Sequence, residues 1–174
     1  LNAYRQVFRE VNGAEAPPPI VGGWTYCDDN ADRAEAYARQ YSPMYWRSVV
    51  RHYELIGDHL TTMRGYESYK AVQEMTSAPG GLDVMIEFFL GLQVWGTPEQ
   101  CYERVVDIQH RTGAEAFTGI FSYGAMPYDL AEANLRLFAA EVMPALKKRV
   151  PLEDQRIARA GVGRAADTGA FRLP

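Results

Sequence analysis

Ionisable side chains that could perform acid–base chemistry are few in this sequence. His52 and His59 flank the start of an irregular, glycine-punctuated segment, and a histidine on such a segment could donate or accept a proton near neutral pH. An exposed structural position is the alternative for both. The sequence has no paired carboxylates, Ser/His/Asp set or metal-ligand spacing. No metal is therefore expected, and the catalytic residues stay unknown, with His52 and His59 as the candidates.

Large aromatic side chains are the second group that could form a site. Trp24 lies in the apolar stretch 20–27, which follows three prolines and is typical of a strand. Tyr45 and Trp46 occur together in a helical stretch further along the chain. Rings at such positions either line a pocket for an apolar organic molecule or pack in the core. The sequence leaves both interpretations open.

Two helical pieces are predicted to follow the strand. The first is capped by an Asp-Asp-Asn sequence at 28–30 and carries alanines and tyrosines on one face. Pro43 is expected to interrupt it, because proline lacks a backbone N–H and disfavours helical geometry at Ser42. The second piece then covers about 44–55.

A lid-like insertion is predicted at about 57–93. Glycines and a proline punctuate its first part, and long segments of this kind in α/β proteins commonly cover a binding site. Its second part, 83–93, is strongly apolar and predicts a buried helix.

A strong helix start follows the insertion. Thr97 is the predicted N-cap, Pro98 suits the first helical position, and Gln100 completes a capping box. This helix is expected to end at Gly113. The next stretch, 116–122, is apolar enough for a parallel strand buried on both faces.

The loop after that strand is the predicted location of a site. In βα architectures ligands gather at the carboxyl ends of strands, which here means Ser122 to Met126. The alternative is that Gly124 only makes a turn and Pro127 only begins the next amphipathic helix. A C-terminal arm is expected at 151–174.

Composition narrows the class of protein further. The chain has 174 residues, of which 47% are hydrophobic, and a net charge of −4 without a basic patch, which argues against nucleic acid as a partner. No apolar run approaches the length that spans a bilayer, and there is no signal-peptide pattern, so a cytoplasmic protein is expected. Cys27 and Cys101 are expected to be a reduced pair, with a disulfide as the alternative.

The order of these segments resembles the C-terminal part of the bacterial luciferase-like flavin monooxygenases. The resemblance covers about 1–148 and is strongest from Val94 to Pro144. Its main features are Gly96-Thr97-Pro98-Glu99-Gln100-Cys101, the aromatic Met44-Tyr45-Trp46, Leu137-Phe138 and Val142-Met143-Pro144. The resemblance implies an α/β fold, with 1–150 supplying the last two strands and their helices of a (β/α)8 TIM barrel. A complete barrel takes about 250 residues, so the barrel is expected to be incomplete here.

The resemblance also implies a cofactor and partners. The family uses reduced FMN, or in sister groups the deazaflavin F420, with dioxygen to oxidise a small, apolar organic substrate. A flavin reductase would supply the reduced flavin, and a homo- or hetero-oligomer is expected. By this resemblance Tyr45 and Trp24, with Ser122 and Gly124, are candidates for cofactor binding. Trp46 and Met126 are candidates for the substrate pocket.

A second function of a different class stays open. Strands of an incomplete barrel leave sheet edges and an apolar face uncovered unless a partner binds them. The chain could therefore be a non-catalytic truncated paralogue or subunit that binds and stabilises a partner barrel.

Overall fold

The computed structural model describes residues 1–59, 61–67 and 69–149 of a mixed α/β protein. Its elements are, in order, α1 (Asn2–Asn12), β1 (Ile20–Cys27), α2 (Ala31–His52), α3 (Tyr69–Ser77), α4 (Gly81–Leu92), β2 (Val94–Gly96), α5 (Pro98–Thr112), β3 (Ala116–Ile120), α6 (Tyr128–Leu137), a π-helical turn (Phe138–Val142) and α7 (Met143–Lys147). The arm predicted at 151–174 lies outside these ranges.

The sheet has three parallel strands in the order β2-β1-β3. Residues 20–24 of β1 pair with β3, and residues 25–27 pair with β2. The two predicted strands are therefore present and are neighbours, but the count of two is wrong. The sequence gives no signal for β2, because its three residues lie between an apolar helix and the Thr97 cap and are too few to show a strand period.

Alternate side chains of β1 face two hydrophobic cores. Trp24 and Tyr26 face a core formed with α2 and the start of α6. Cys27 faces a second core formed with α5 and the π-helical turn. Cys27 and Cys101 are both buried free thiols in this second core, and the Cys101 Sγ lies 3.8 Å from the Tyr26 carbonyl oxygen. The central strand thus holds the helices on both sides of the sheet.

Side-chain amides complete the backbone hydrogen bonding of β1 where its neighbours stop. On the β3 side, the Asn134 Oδ1 accepts from the Cys27 N–H at 2.7 Å, and its Nδ2 donates to the Thr25 carbonyl at 2.8 Å. The same Nδ2 lies 3.2 Å from the Phe121 carbonyl oxygen, just beyond the end of β3. On the β2 side, the Gln93 Oε1 accepts from the Trp24 N–H at 3.1 Å. Both amides are buried, so these bonds form without competition from water.

The two long helical segments each contain a proline. α2 continues through Pro43 instead of breaking there, because residues on both sides of the proline, Tyr41 and Val50 among them, are buried by tertiary packing. The C-terminal segment runs from α6 to α7 through the π-helical turn. In that turn the Met143 N–H reaches the Phe138 carbonyl, which widens the helix directly before Pro144.

The helix predicted at Thr97 is confirmed in detail. Thr97 and Gln100 form the reciprocal capping box, Pro98 is the first helical residue, and Gly113 ends the helix in the left-handed conformation. Two burial predictions are wrong. β3 ends at Ile120, and its side chains alternate between exposed and half-buried, because β1 pairs with one edge and the helices of the described part of the chain cover one face only. α4 is likewise buried on one face alone.

Replacement of Asn134 by alanine should destabilise the fold strongly. The substitution leaves the Cys27 N–H and the Thr25 carbonyl buried without partners, and we expect the free energy of unfolding to fall by about 3 kcal/mol or more. Urea denaturation followed by circular dichroism measures the change. The matched control is Glu132→Ala on the same helix, where an exposed ion pair with Arg136 contributes about 0.5 kcal/mol or less. Equal effects of the two substitutions would contradict the role given to Asn134.

Candidate functional site

Five aromatic rings form the candidate site, and they pack against the carboxyl half of β1. This aromatic cluster comprises Trp24, Tyr45, Trp46, Phe89 and Tyr123. Trp24 is contributed by β1, Tyr45 and Trp46 by α2, Phe89 by α4, and Tyr123 by the loop after β3. The structure therefore brings together three of the aromatic residues singled out in the sequence with two further rings: Tyr123, which lies in the predicted site loop, and Phe89, which was predicted only as part of a buried helix.

The rings of the cluster contact each other closely. The ring centroids of Trp24 and Tyr45 are 4.6 Å apart, and Phe89 lies 5.1 Å from Trp24 and 5.0 Å from Trp46. Tyr123 meets Tyr45 edge-on at 6.5 Å. Trp24, Tyr45 and Trp46 are each half-buried, whereas Phe89 and Tyr123 are buried. The cluster is therefore both part of the core and partly accessible.

The two tyrosine hydroxyl groups of the cluster stay protonated at neutral pH. Burial raises the pKa of Tyr123 to about 12, and burial also raises the pKa of Tyr45. The Trp46 Nε1 is buried and has no hydrogen-bond partner among the described residues. An indole N–H in this state is a buried donor left unsatisfied by the described residues.

The predicted loop after β3 is built by close packing against α2. Gly124 has φ 61°, and a Cβ placed on it would lie 2.2 Å from the Tyr41 carbonyl oxygen, so only glycine fits. Ser122 is exposed, whereas Met126 is 6% exposed and packs in the same core as Tyr26. These contacts give Gly124 and Met126 a structural role whether or not a ligand binds.

The two histidines lie on exposed chain at the end of α2. His52 meets the Tyr53 ring edge-on at 4.9 Å, and the His59 Nδ1 lies 3.8 Å from the Glu54 Oε2. Neither contact joins a histidine to the aromatic cluster. Both positions match the exposed alternative considered from the sequence.

A charged pair follows the end of β1, and a cleft lies beside β2. Burial alone would raise the pKa of Asp28, but hydrogen bonds from the Arg33 side chain and the Asn30 N–H lower it overall, so the carboxylate stays ionised. An open cleft of about 270 Å³ is lined by Gly91, Gln93, Trp95, Gln100 and Arg104. The Arg104 guanidinium donates hydrogen bonds to the Gly91 and Gln93 carbonyls, so its role in this cleft is structural.

The sequence contains patterns that could have identified two residues, Phe89 and Asn134, whose roles were not predicted. Phe89 follows Ile86 by three residues and precedes Leu90, a spacing that marks one buried helix face. Asn134 stands between Ala131 and Phe138 on the apolar face of its helix. A lone polar residue at such a position indicates a buried hydrogen bond. Gln93 carries no comparable signal.

Comparison with known proteins adds little. No protein-family model matches the chain, and no curated protein matches it. Among solved structures, it is similar to the monooxygenase RslO1 from Streptomyces bottropensis, with 17% sequence identity and a TM-score of 0.49 over 83% of this chain. The match spans 37% of that protein's chain, so the likeness is both distant and partial. Within the described ranges, no helix is long and apolar enough to cross a membrane, and no three His, Cys, Asp or Glu residues group as metal ligands would.

Replacement of Gly124 by alanine should unfold the loop after β3. The added methyl would clash with the Tyr41 carbonyl at a positive φ, and we expect a loss of about 3 kcal/mol or more in the free energy of unfolding. Urea titration measures it. The control is Ala125→Gly at the next position, where φ is 59° and glycine relieves the left-handed backbone; its stability should stay within about 1 kcal/mol of the parent chain. A stable Gly124→Ala variant would contradict this loop geometry.

Alkaline pH should destabilise the protein through Tyr123. Its pKa is about 12 in the folded chain and about 10 in the unfolded chain, so the unfolded state loses the proton first. Below about pH 10, ionisation of Tyr123 does not change the free energy of unfolding. As the pH rises from about 10 to 12, the free energy of unfolding falls by about 2–3 kcal/mol. Tyr123→Phe should make this part of the stability loss disappear in denaturation curves. Tyr128→Phe is the control, because Tyr128 is 89% exposed and should leave the dependence unchanged.

Proposed function

We propose that this chain is part of a luciferase-like flavin-dependent monooxygenase that uses reduced flavin and dioxygen to oxidise a small, apolar organic substrate. The observation that carries the proposal is the aromatic cluster against the carboxyl half of a parallel strand, with a buried Trp46 N–H that has no partner among the described residues. The resemblance of 94–144 to the C-terminal part of that family supports it. The barrel, with this chain supplying its C-terminal part, belongs to the same proposal.

The cluster fits one wall of a flavin site. Large, half-buried rings such as Trp24 and Tyr45 suit contact with the isoalloxazine ring, and the Trp46 N–H suits a carbonyl or ring nitrogen. Arg33, close to the end of β1, is already paired with Asp28 and Asp29, so it is not proposed as a phosphate ligand. In this proposal the phosphate contacts come from another part of the barrel. FMN is the proposed cofactor, with F420 as the alternative.

The residues of this chain would orient the ring and exclude water. When bound, the reduced flavin supplies the electrons that activate dioxygen, and a flavin reductase would deliver it in that state. The apolar rings of the cluster would keep water from the reacting centre and favour an apolar substrate. The insertion over 57–93 contributes Phe89 to the cluster and is the proposed lid. Ser122, exposed at the carboxyl end of β3, would meet the cofactor.

A second candidate is a non-catalytic module that binds and stabilises a partner barrel. The observation that favours it is uncovered apolar surface near the amino end of the sheet. On α1, Tyr4, Val7 and Val11 are between 49% and 76% exposed, and Ile20 at the start of β1 is 66% exposed. β3 pairs with β1 along one edge, and no described strand pairs with its other edge. Open strand edges pair readily with strands of another chain.

Flavin content separates the two candidates. The tagged chain would be purified from its source organism with everything that binds it, and the reduced FMN bound per chain would then be measured by anaerobic titration. Mass spectrometry of the intact components reports what the chain is assembled with. The monooxygenase predicts one flavin per chain, whereas the binding module predicts an assembly in which this chain holds none. An assembly without flavin would contradict the first proposal.

Replacement of Trp46 by phenylalanine should weaken flavin binding about tenfold, because the ring is kept while one buried hydrogen bond is lost. Quenching of tryptophan fluorescence by reduced FMN under anaerobic conditions measures the affinity in the flavin-containing assembly. Trp95→Phe is the control, because the Trp95 Nε1 already donates to the Leu90 carbonyl at 3.1 Å. Equal affinities of both variants would remove Trp46 from the site.

A further inference from the structure

The two cysteines of the chain lie side by side where β1 ends and α5 begins. Cys27 is the last residue of β1, and Cys101 lies in the first turn of α5. Gly96, which pairs with Cys27 in the sheet, has its carbonyl oxygen 3.5 Å from the Cys101 Sγ. The carbonyl oxygen of Tyr26, in the peptide bond to Cys27, lies 3.8 Å from the same sulfur. The Cys101 thiol is therefore placed against the backbone of Cys27.

Both cysteine side chains pack in the same hydrophobic core. Cys27 and Cys101 are 2% and 0% exposed and share this core with Val94, Val105 and Phe138. A hydrogen bond from the Cys101 thiol to the Cys27 sulfur lowers the pKa of Cys27, against the opposing effect of burial, and raises the pKa of Cys101. The two thiols are thus in contact, and Cys27 is the one that ionises more readily. The thiolate is the reactive form of cysteine.

Exposed chain lies next to both cysteines. Residues 29–30, just after Cys27, and residues 99–100, just before Cys101, are exposed. Local opening at the end of a strand or in the first turn of a helix takes less free energy than global unfolding. A small oxidant such as hydrogen peroxide can therefore reach the pair while most of the fold stays intact. Burial makes this reaction slower than that of an exposed thiolate.

We propose that Cys27 and Cys101 are a peroxide-sensitive pair that forms a disulfide between the end of β1 and the start of α5. The Cys27 thiolate attacks one oxygen of hydrogen peroxide, which breaks the O–O bond and gives a sulfenic acid at Cys27. The hydroxide that leaves takes up the proton that Cys27 lost. The Cys101 sulfur then attacks the Cys27 sulfur, and the sulfenic oxygen leaves as water with the Cys101 proton. Two thiols are thereby oxidised to one disulfide, and one hydrogen peroxide is reduced to two molecules of water.

The disulfide closes residues 28–100 into a loop. This loop contains α2 and α4, which contribute Tyr45, Trp46 and Phe89 to the aromatic cluster. A crosslink between residues far apart in sequence restricts the unfolded chain and so favours the folded one. Oxidation therefore fixes both ends of the segment that carries three rings of the cluster, and reduction releases them. The pair acts in this way whether or not the chain binds flavin.

Thiol labelling tests the disulfide in the assembly purified from the source organism. After treatment with hydrogen peroxide, the proteins are denatured and their free thiols are blocked with N-ethylmaleimide. Mass spectrometry should find two labels on the untreated chain, one for each of its two cysteines, and none on the oxidised chain. Digestion of the oxidised chain should give one peptide pair that joins Cys27 to Cys101. Dithiothreitol should restore both labels.

The methionines of the same chain control for the peroxide dose. Met63 and Met75 are 49% and 48% exposed, so their conversion to sulfoxides reports that peroxide has reached the chain. A chain that keeps both free thiols when these methionines are already oxidised would overturn the proposal. A disulfide from either cysteine to another chain would also overturn it.

Single serine variants test the order of the two steps. In Cys101→Ser the sulfenic acid at Cys27 has no thiol to react with, so dimedone should trap it after peroxide treatment. In Cys27→Ser the Cys101 thiol should give no dimedone adduct at the same peroxide dose. The two variants are matched, because each removes one thiol from the same core. Trapping at Cys101, or none at Cys27, would overturn this order. Labelling of the parent chain needs no substitution, so it decides the disulfide even where a variant fails to fold.

Discussion

The fold depends on satisfying the backbone of its central strand. Neither neighbouring strand pairs with the whole of β1, because β3 pairs with residues 20–24 and β2 pairs with residues 25–27. Two buried side-chain amides, Asn134 and Gln93, take the remaining positions on opposite edges. A buried N–H or carbonyl without a partner is costly, so these amides also fix where α6 and the end of α4 lie. The two hydrophobic cores are assembled around that constraint.

The aromatic cluster shows how one group of residues can stabilise the core and form a candidate site. Phe89 and Tyr123 are buried, and their contacts hold α4 and the loop after β3 against β1. Trp24, Tyr45 and Trp46 are half-buried at the same location. A rigid aromatic wall needs support of this kind, because rings that a ligand contacts must be held in place by neighbours. The proposed flavin site uses this aromatic wall and requires no change in the packing of the core.

The uncovered surfaces differ in the chemistry of what they can bind. The outer edge of β3 presents backbone groups, which favour another strand. The outer face of α4 presents the exposed side chains of Val84, Phe88 and Leu92, beside carboxylates that are paired with arginines of α2, and such a face favours contact with a helix. A chain with both kinds of surface offers one contact to a further strand and another to a further helix. The candidate enzyme and the candidate binding module share this property.

Local sequence determined the capped helix from Pro98 to Thr112, the strand at Ile20–Cys27 and the turn at Gly124, because each depends on the backbone preferences of a few adjacent residues. Tertiary structure decided what required distant partners. α2 continues through Pro43 because packing outweighs its local preference, and β2 exists because β1 offers a free edge. The aromatic residues were visible as candidates, but their convergence with Phe89 and Tyr123 required the folded chain. Which face of α4 is buried was also decided there, because an apolar helix specifies its covered side only through its neighbours.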